Sequence, residues 1–167
     1  MTTTFVKSAT ATTAVSKSRT DIMTLLERYG GTGFGYDVVG SEIIVHFTVP
    51  GAAGAPLRIA YPVNVDRVQD RLTVHLKRLK KGAATREQAE RVAWRNIYLL
   101  IDAAFAAASI GASTVEEAFH AHILVRTSDG SEGRLYDYVE TLRTAAGGIL
   151  PGSSDVQRLL PSGSREQ

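Results

Sequence analysis

The fold is decided by residues 85–111, which read TREQAERVAWRNIYLLIDAAFAAASIG. The stretch opens on a Thr-x-x-Gln capping box, its apolar residues recur at intervals of three and four, and Gly111 ends the run. This pattern predicts one long helix from about Thr85 to Ser109. Because its second half is apolar on nearly every side, we expect it to pass through the centre of the domain. Leu100 is then buried, and Leu100→Asp should unfold the protein.

Upstream of this helix, the sequence predicts a shorter helix and three strands. A helix capped by Ser18 or Thr20 should end at Gly30-Gly31, where a left-handed residue is favoured. Apolar residues alternate on both sides of a two-residue Gly-Ser turn, which predicts a hairpin, and a third alternating stretch follows. The predicted strands cover residues 34–38, 43–49 and 57–61.

Outside these elements, the sequence signals for secondary structure are weaker. Residues 63–79 combine strand-like alternation with helical charge spacing, which predicts a linker followed by a strand or a short helix. A second capping box begins at Thr114 and opens a helix that reaches towards His122, and a last short helix is predicted from Leu135 to Leu142.

These elements define an α+β fold class: an N-terminal helix, a three-stranded antiparallel sheet, a long central helix and short C-terminal helices. The length of 167 residues suits one domain, which we place at residues 18–150. Residues 1–17 are rich in Thr, Ser and Ala, and residues 151–167 in Pro, Gly and Ser. Both are predicted to be flexible tails.

Several chemistries have no support in the sequence. The chain has no cysteine, no phosphate-binding G-x-x-x-x-G-K-[ST] loop and no G-x-S-x-G nucleophile elbow. His120 and His122 lie near Glu116, but His122 is placed about 200° around the helix from a shared face. His46 has no carboxylate partner that the sequence identifies. We therefore predict a non-enzymatic protein with no catalytic residue, no cofactor and no metal.

No apolar run is long enough for a secretory signal or for a membrane-spanning helix, which predicts a cytoplasmic protein without membrane contact.

Charge is distributed unevenly along the sequence. Residues 67–95 carry nine basic and three acidic residues, whereas residues 96–167 carry five basic and nine acidic residues. A basic segment of this kind is a natural contact for a polyanion.

The basic segment 67–95 therefore predicts association with DNA or RNA. Trp94 and Tyr98, four residues apart, would provide a stacking platform if exposed; the alternative is that both lie in the core and that the charges form a solvated face. The predicted nucleic-acid-binding residues are Lys77, Arg78, Lys80, Lys81, Arg86, Arg91, Trp94 and Arg95. An alternative function is a protein-binding inhibitor or adaptor that docks on another protein through an exposed apolar patch.

Two resemblances add to this interpretation. The order of a helix, three strands and a helix, with Lys80-Lys81 just before the last helix, resembles the double-stranded RNA binding fold at the level of topology. The family's loop histidine is missing, however, and residues 40–41 make a shorter turn than the family's.

The second resemblance covers roughly residues 18–151. Its motifs are Leu25-Leu26-Glu27-Arg28-Tyr29-Gly30, Trp94-Arg95, Glu116-Glu117-Ala118-Phe119, Asp129-Gly130 and Leu150-Pro151. They resemble a family of small phage and prophage proteins, chiefly from actinobacteria, for which no activity is established. This resemblance implies a phage origin and expression in the cytoplasm of a bacterial host, and it assigns no catalytic residue. It also implies that the partner of a protein-binding inhibitor or adaptor would be a host or phage factor.

Overall fold

The computed structural model describes residues 6–51, 54–127 and 130–145, with no side-chain environment for residue 145. The predicted C-terminal tail, residues 151–167, lies outside this range. The α+β fold class is confirmed, with a three-stranded antiparallel sheet and a long central helix. The elements are α1 (Val15–Arg28), β1 (Thr32–Val39), β2 (Glu42–Pro50), β3 (Pro56–Asn64), α2 (Val65–Arg78), α3 (Arg86–Ser109), α4 (Val115–Phe119), β4 (Leu124–Arg126), β5 (Glu132–Arg134) and α5 (Leu135–Ala145).

The long helix α3 begins where its capping signal placed it. The Thr85 hydroxyl accepts a hydrogen bond from the Gln88 amide at 3.1 Å, which satisfies one of the free N–H groups of the first turn. The Gln88 side chain does not close the box; it donates instead to the Ala9 carbonyl at 3.2 Å. The cap of α3 thus also ties the N-terminal segment to the domain.

The two sides of α3 differ in burial, and this corrects one prediction. Ile97 and Ile101 are completely buried in the main core, with α1 and the sheet. Leu100 is 50% exposed, so the prediction that it is buried is wrong. Leu100 borders an open groove between α2 and α3, and we now expect Leu100→Asp to remain folded.

The sheet has the order β1-β2-β3, and the predicted Gly40-Ser41 turn joins β1 to β2. The β2 residues that point towards the helices are fully buried, while those between them are only partly buried. This alternation is the signature of a sheet with one face on the core. A bulge interrupts the β1–β2 register between Thr32 and Gly35, where Gly33 has a φ of 64°, a left-handed conformation that glycine adopts readily.

The two edges of the sheet have different surroundings. At the β3 edge, Ile59 forms an antiparallel bridge with Ile123, just before the β4–β5 hairpin, which the sequence did not predict. Arg58 on β3 forms an ion pair with Glu132 on β5. β1 is the opposite edge strand, and most of its residues are exposed.

Residues 63–79, where a linker followed by a strand or a short helix was predicted, hold the end of β3 and the helix α2, with no linker between them. The Asn64 side chain accepts a hydrogen bond from the Arg67 amide at 2.9 Å and so caps α2. Leu72 and Leu76 are buried with Val92 of α3 in a second core cluster. Because α2 follows β3 directly, the order of a helix, three strands and a helix ends at α2 and not at α3, and Lys80-Lys81 follow this last helix instead of preceding it.

The N-terminal part of the domain also differs from its predicted boundaries. α1 begins at Val15, inside the predicted tail, and Ala9 is buried in the cluster with α2. Ser18 is buried within α1, and Thr20 donates to the Ser16 carbonyl at 3.1 Å, so the prediction that either residue caps the helix is wrong. The predicted end is confirmed, because Gly30 has a φ of 73° and the following amide donates to the Leu26 carbonyl.

Candidate nucleic-acid interface

The three arginines predicted on α3 are held by carboxylates of the same chain. Arg86 lies 2.8 Å from an oxygen of Asp66 and 3.5 Å from one of Glu90. Arg91 lies 2.5 Å from Glu87. Their positive charge is therefore largely compensated locally.

Arg95 is similarly occupied. Its guanidinium lies 3.6 Å from a carboxylate oxygen of Asp21 on α1 and 4.5 Å from the centre of the Tyr98 ring. The structure therefore assigns Arg95 a role in joining α1 to α3, and it is a weaker candidate for phosphate than its sequence position indicated.

Trp94 is 1% exposed, so the prediction that it stacks on a nucleic-acid base is wrong. Its ring meets the Tyr36 ring edge to face at 5.3 Å, and the Arg19 guanidinium lies 4.6 Å from it. The alternative, that Trp94 belongs to the core, is confirmed. A helical spacing of four residues does not show which side of the helix faces solvent.

The other four predicted residues are exposed. Lys77 and Arg78 end α2, and Lys80 and Lys81 lie in the loop to α3. Within the described part of the chain, none of the four has an ion-pair partner.

Helix α2 adds two cations that the predicted site residues did not include. Arg67 and Arg71 are exposed, and among the described residues neither forms an ion pair. Arg67, Arg71 and Arg78 follow one another at spacings of four and seven, so they lie along one side of the helix. This signal was present in the sequence, but it requires that residues 65–78 are helical. We call Arg67, Arg71, Lys77, Arg78, Lys80 and Lys81 the basic surface.

Lys80 has an unusual backbone conformation. Its φ is 56°, a left-handed value that costs a residue with a side chain about 1 kcal/mol or more. The Lys80 amide donates to the Lys77 carbonyl at 3.0 Å and the Lys81 amide to the Leu76 carbonyl at 2.9 Å. This is the Schellman pattern that ends a helix, and it places a lysine where glycine is usual.

Two histidines have environments of chemical interest elsewhere. His46 Nδ1 lies 3.6 Å from a carboxylate oxygen of Asp37 on the neighbouring strand; the His46 side chain is partly exposed and that of Asp37 largely exposed. The His122 ring stacks on Tyr61 at 3.7 Å. Burial, reinforced by the charge of Arg134, lowers the pKa of His122 below its usual value.

Among the described residues, no group of three or more His, Cys, Asp or Glu is arranged to hold a metal.

Two of the grooves beside α3 are lined in part by charged side chains. One, of about 410 Å³, is lined by polar residues of α1 and α3, among them Lys17, Asp21 and Arg95. The other, of about 640 Å³, lies between α2 and α3 and is lined mainly by apolar side chains, with Lys7 and Arg71 also present. The second groove thus adjoins the basic surface through Arg71.

Comparison with known proteins gives no relative: no family model, no curated protein and no solved structure matches this chain. Within residues 6–51, 54–127 and 130–145, no helix is long and apolar enough to cross a membrane. A functional proposal therefore depends on the geometry of the chain alone.

Proposed function

We propose that the protein is a non-enzymatic accessory factor that binds the phosphate backbone of a nucleic acid through its basic surface. The observation that carries this proposal is the contrast between two sets of cations. The α3 arginines are neutralised by carboxylates, whereas the six cations of the basic surface are exposed and, among the described residues, have no ion-pair partner. Unpaired Lys and Arg side chains on one surface are what phosphate binding requires.

Stabilisation of helix α2 accounts for only part of this charge. Cations in the last turn of a helix interact favourably with its dipole by about 0.3–1 kcal/mol each, which applies to Lys77 and Arg78. Arg67 lies in the first turn, where the same dipole opposes a cation, and Lys81 lies beyond the helix. A purely local role therefore leaves Arg67 and Lys81 without an explanation.

The conformation of Lys80 supports the proposal. Glycine would occupy the left-handed position at the end of α2 without strain, yet the chain carries a cationic side chain there. Strain of this kind is found where a side chain serves a function that outweighs its conformational cost. Phosphate contact supplies such a function.

The test is a set of anisotropy titrations with single-stranded and double-stranded DNA and RNA at several salt concentrations. Replacement of Lys77, Arg78, Lys80 and Lys81 by Ser should weaken binding similarly across sequences. The slope of log affinity against log salt should flatten by about 0.7–0.9 for each phosphate contact that is lost. Absence of binding by the wild-type protein at low salt refutes the proposal.

A matched control removes four positive charges elsewhere. Its substitutions are Lys17→Ser, Arg28→Ser, Arg126→Ser and Arg143→Ser, all at exposed positions. The control should retain most of the affinity and most of the salt slope. Equal losses in the two variants would show that only net charge matters and that the basic surface is not a site.

A single substitution separates binding from folding. Lys80→Gly removes one charge and also relieves the left-handed strain, so we expect the free energy of unfolding to rise by about 1 kcal/mol while affinity falls. Because the variant should be more stable than the wild type, its weaker binding cannot result from unfolding. Unchanged affinity at low salt would exclude Lys80 from the contact.

A protein-binding inhibitor or adaptor is the second candidate, and the exposed apolar side chains of α5 favour it: Tyr138, Val139 and Leu142 are each more than 40% exposed. Binding through such a surface is far less sensitive to salt than phosphate binding. Phage origin and a cytoplasmic location, which the sequence resemblance implies, belong to both proposals.

A further inference from the structure

The groove between α1 and α3 is lined almost entirely by polar side chains. Its volume is about 410 Å³, which falls within the range of about 300–1,000 Å³ that is typical of small-molecule sites. All of its lining residues except Leu25 carry a charged group or a hydroxyl group. The groove therefore suits a small polar ligand.

Two helices that pack against each other form this groove. Its α1 residues are spaced by four, three and four, so they share one side of the helix: Lys17, Asp21, Thr24 and Arg28. Arg95 and Tyr98, three residues apart on α3, line it as well. Because these six residues belong to helices, the groove is a built feature of the domain.

The groove has a surplus of positive charge. Lys17, Arg28 and Arg95 contribute three positive charges and Asp21 contributes one negative charge, which leaves a formal net charge of +2. The Asp21 carboxylate is shared, since one oxygen lies 3.1 Å from Lys17 Nζ and the other lies 3.6 Å from a nitrogen of Arg95. Arg28 has no ion-pair partner among the described residues.

Arg95 is held in place without using its hydrogen-bond donors. The Tyr98 ring centre lies 4.5 Å from the guanidinium carbon, and the 3.6 Å contact with Asp21 is longer than a hydrogen bond. No hydrogen bond between described residues engages the five N–H groups of this guanidinium. The side chain is 30% exposed. This recess makes Arg95 a poor contact for a nucleic-acid backbone, but it suits a small ligand that enters the groove.

A phosphate monoester matches the groove in charge and in hydrogen bonding. It carries a charge of about −1.5 to −2 at pH 7 and three strong acceptor oxygens. Guanidinium groups bind phosphate through two parallel hydrogen bonds, and the hydroxyls of Thr24 and Tyr98 are further donors. We therefore propose that the groove between α1 and α3 binds the phosphate group of a small phosphate monoester through Arg28 and Arg95.

This site does not depend on the proposed function. Lys17 and Arg28 are among the four charges that the control variant for nucleic-acid binding removes. That variant should lose binding of the phosphate monoester and keep its affinity for nucleic acid, so failure of one proposal is distinguishable from failure of the other.

Chemical-shift titration of the backbone amides of the full chain is the first measurement. Methyl phosphate at low salt should shift amides of α1 and α3 around the groove. Dimethyl phosphate, a diester with a single negative charge, should bind about tenfold more weakly. Absence of these shifts up to millimolar methyl phosphate, equal affinity for the diester, or tighter binding of the dicarboxylate succinate overturns the proposal.

Asp21→Asn gives the decisive result. The amide preserves the size of the side chain but removes the negative charge that competes with an anion for Lys17 and Arg95. The affinity for methyl phosphate should therefore rise about tenfold. Loss of structure cannot produce such a gain. A purely structural role of Asp21 predicts unchanged or weaker binding, and either result in a variant that circular dichroism shows to be folded overturns the proposal.

Arg28→Gln tests the site from the opposite direction. Because Arg28 is exposed and has no ion-pair partner among the described residues, the variant should remain folded and bind methyl phosphate about tenfold more weakly. Arg126→Gln is the matched control, since Arg126 is also exposed but lies on β4, outside the groove. It should bind as the wild type does. Equal losses in the two variants would show a general effect of charge and overturn the proposal.

Discussion

Replacement of Ile101 and of Leu100 by Ala, one at a time, tests which side of α3 forms the core. The two residues are neighbours in sequence, but Ile101 is 0% exposed and Leu100 is 50% exposed. Each substitution removes three carbon atoms. At about 0.8 kcal/mol for each buried carbon, Ile101→Ala loses about 2.4 kcal/mol of transfer free energy, and the cavity it leaves brings the total to about 3–4 kcal/mol.

Leu100→Ala should cost about 1 kcal/mol, because half of its side chain is already in water and no closed cavity forms. Urea denaturation followed by circular dichroism measures both values, with the slope of the transition expected to stay unchanged. Both variants should still fold, since domains of this size have stabilities of about 5–15 kcal/mol. Equal losses at the two positions, or a larger loss at Leu100, would refute the placement of α3.

Four further outcomes are expected. Thr85→Ala should lower stability by about 0.5–2 kcal/mol in urea denaturation, because it removes the N-cap of α3. Ser18→Ala should raise stability, because the buried Ser18 hydroxyl has no hydrogen-bond partner among the described residues; a clear loss in a thermal melt would contradict this. The pKa of His122 is lowered in the folded state, so its contribution to stability is complete above about pH 6.5 and is lost as the pH falls through the folded pKa; the pH dependence of the melting midpoint should flatten in His122→Gln. A Cβ at Gly51 would lie 2.7 Å from the Ala55 carbonyl oxygen, whereas one at Gly133 would meet nothing within 4 Å, so Gly51→Ala should cost about 1–3 kcal/mol and Gly133→Ala less than about 0.5.

The sequence predicted the ends of several helices and strands, because the caps and turns that end them involve only a few neighbouring residues. The Thr85 hydroxyl, the Gly30 turn and the two-residue hairpin at residues 40–41 each involve contacts that the sequence displays directly. The sequence left a strand and a short helix open for the α2 segment, because strand-like alternation around Val63 continues β3 up to the cap of α2. Strand-like and helical signals overlap there, and the Asn64 cap together with the packing of Leu72 against α3 favours the helix.

The spacing of apolar residues in the sequence did not show which residues of α3 are exposed. A helix that is apolar on nearly every side does not show which side its neighbours cover, so Leu100 was placed inside and Trp94 was considered as a surface residue. The sequence showed part of the charge neutralisation of the α3 arginines, because Arg91 and Glu87 are four residues apart and can pair on one helix. The contact of Arg86 with Asp66 crosses from α3 to α2 and needed the tertiary structure.

The unequal edges of the sheet determine where copies of this chain would aggregate on partial unfolding. At the β3 edge, Ile59 is already bridged to Ile123, whereas among the described residues no strand pairs with the outer edge of β1. The regular register of β1 runs from Gly35, just after the bulge, to Val39 at the turn, and the charge of Asp37 lies in the middle of this run, where it opposes pairing with a further strand. Because Val38 and Val39 beside it are exposed, the Asp37 carboxylate opposes strand addition at an otherwise apolar part of the β1 edge.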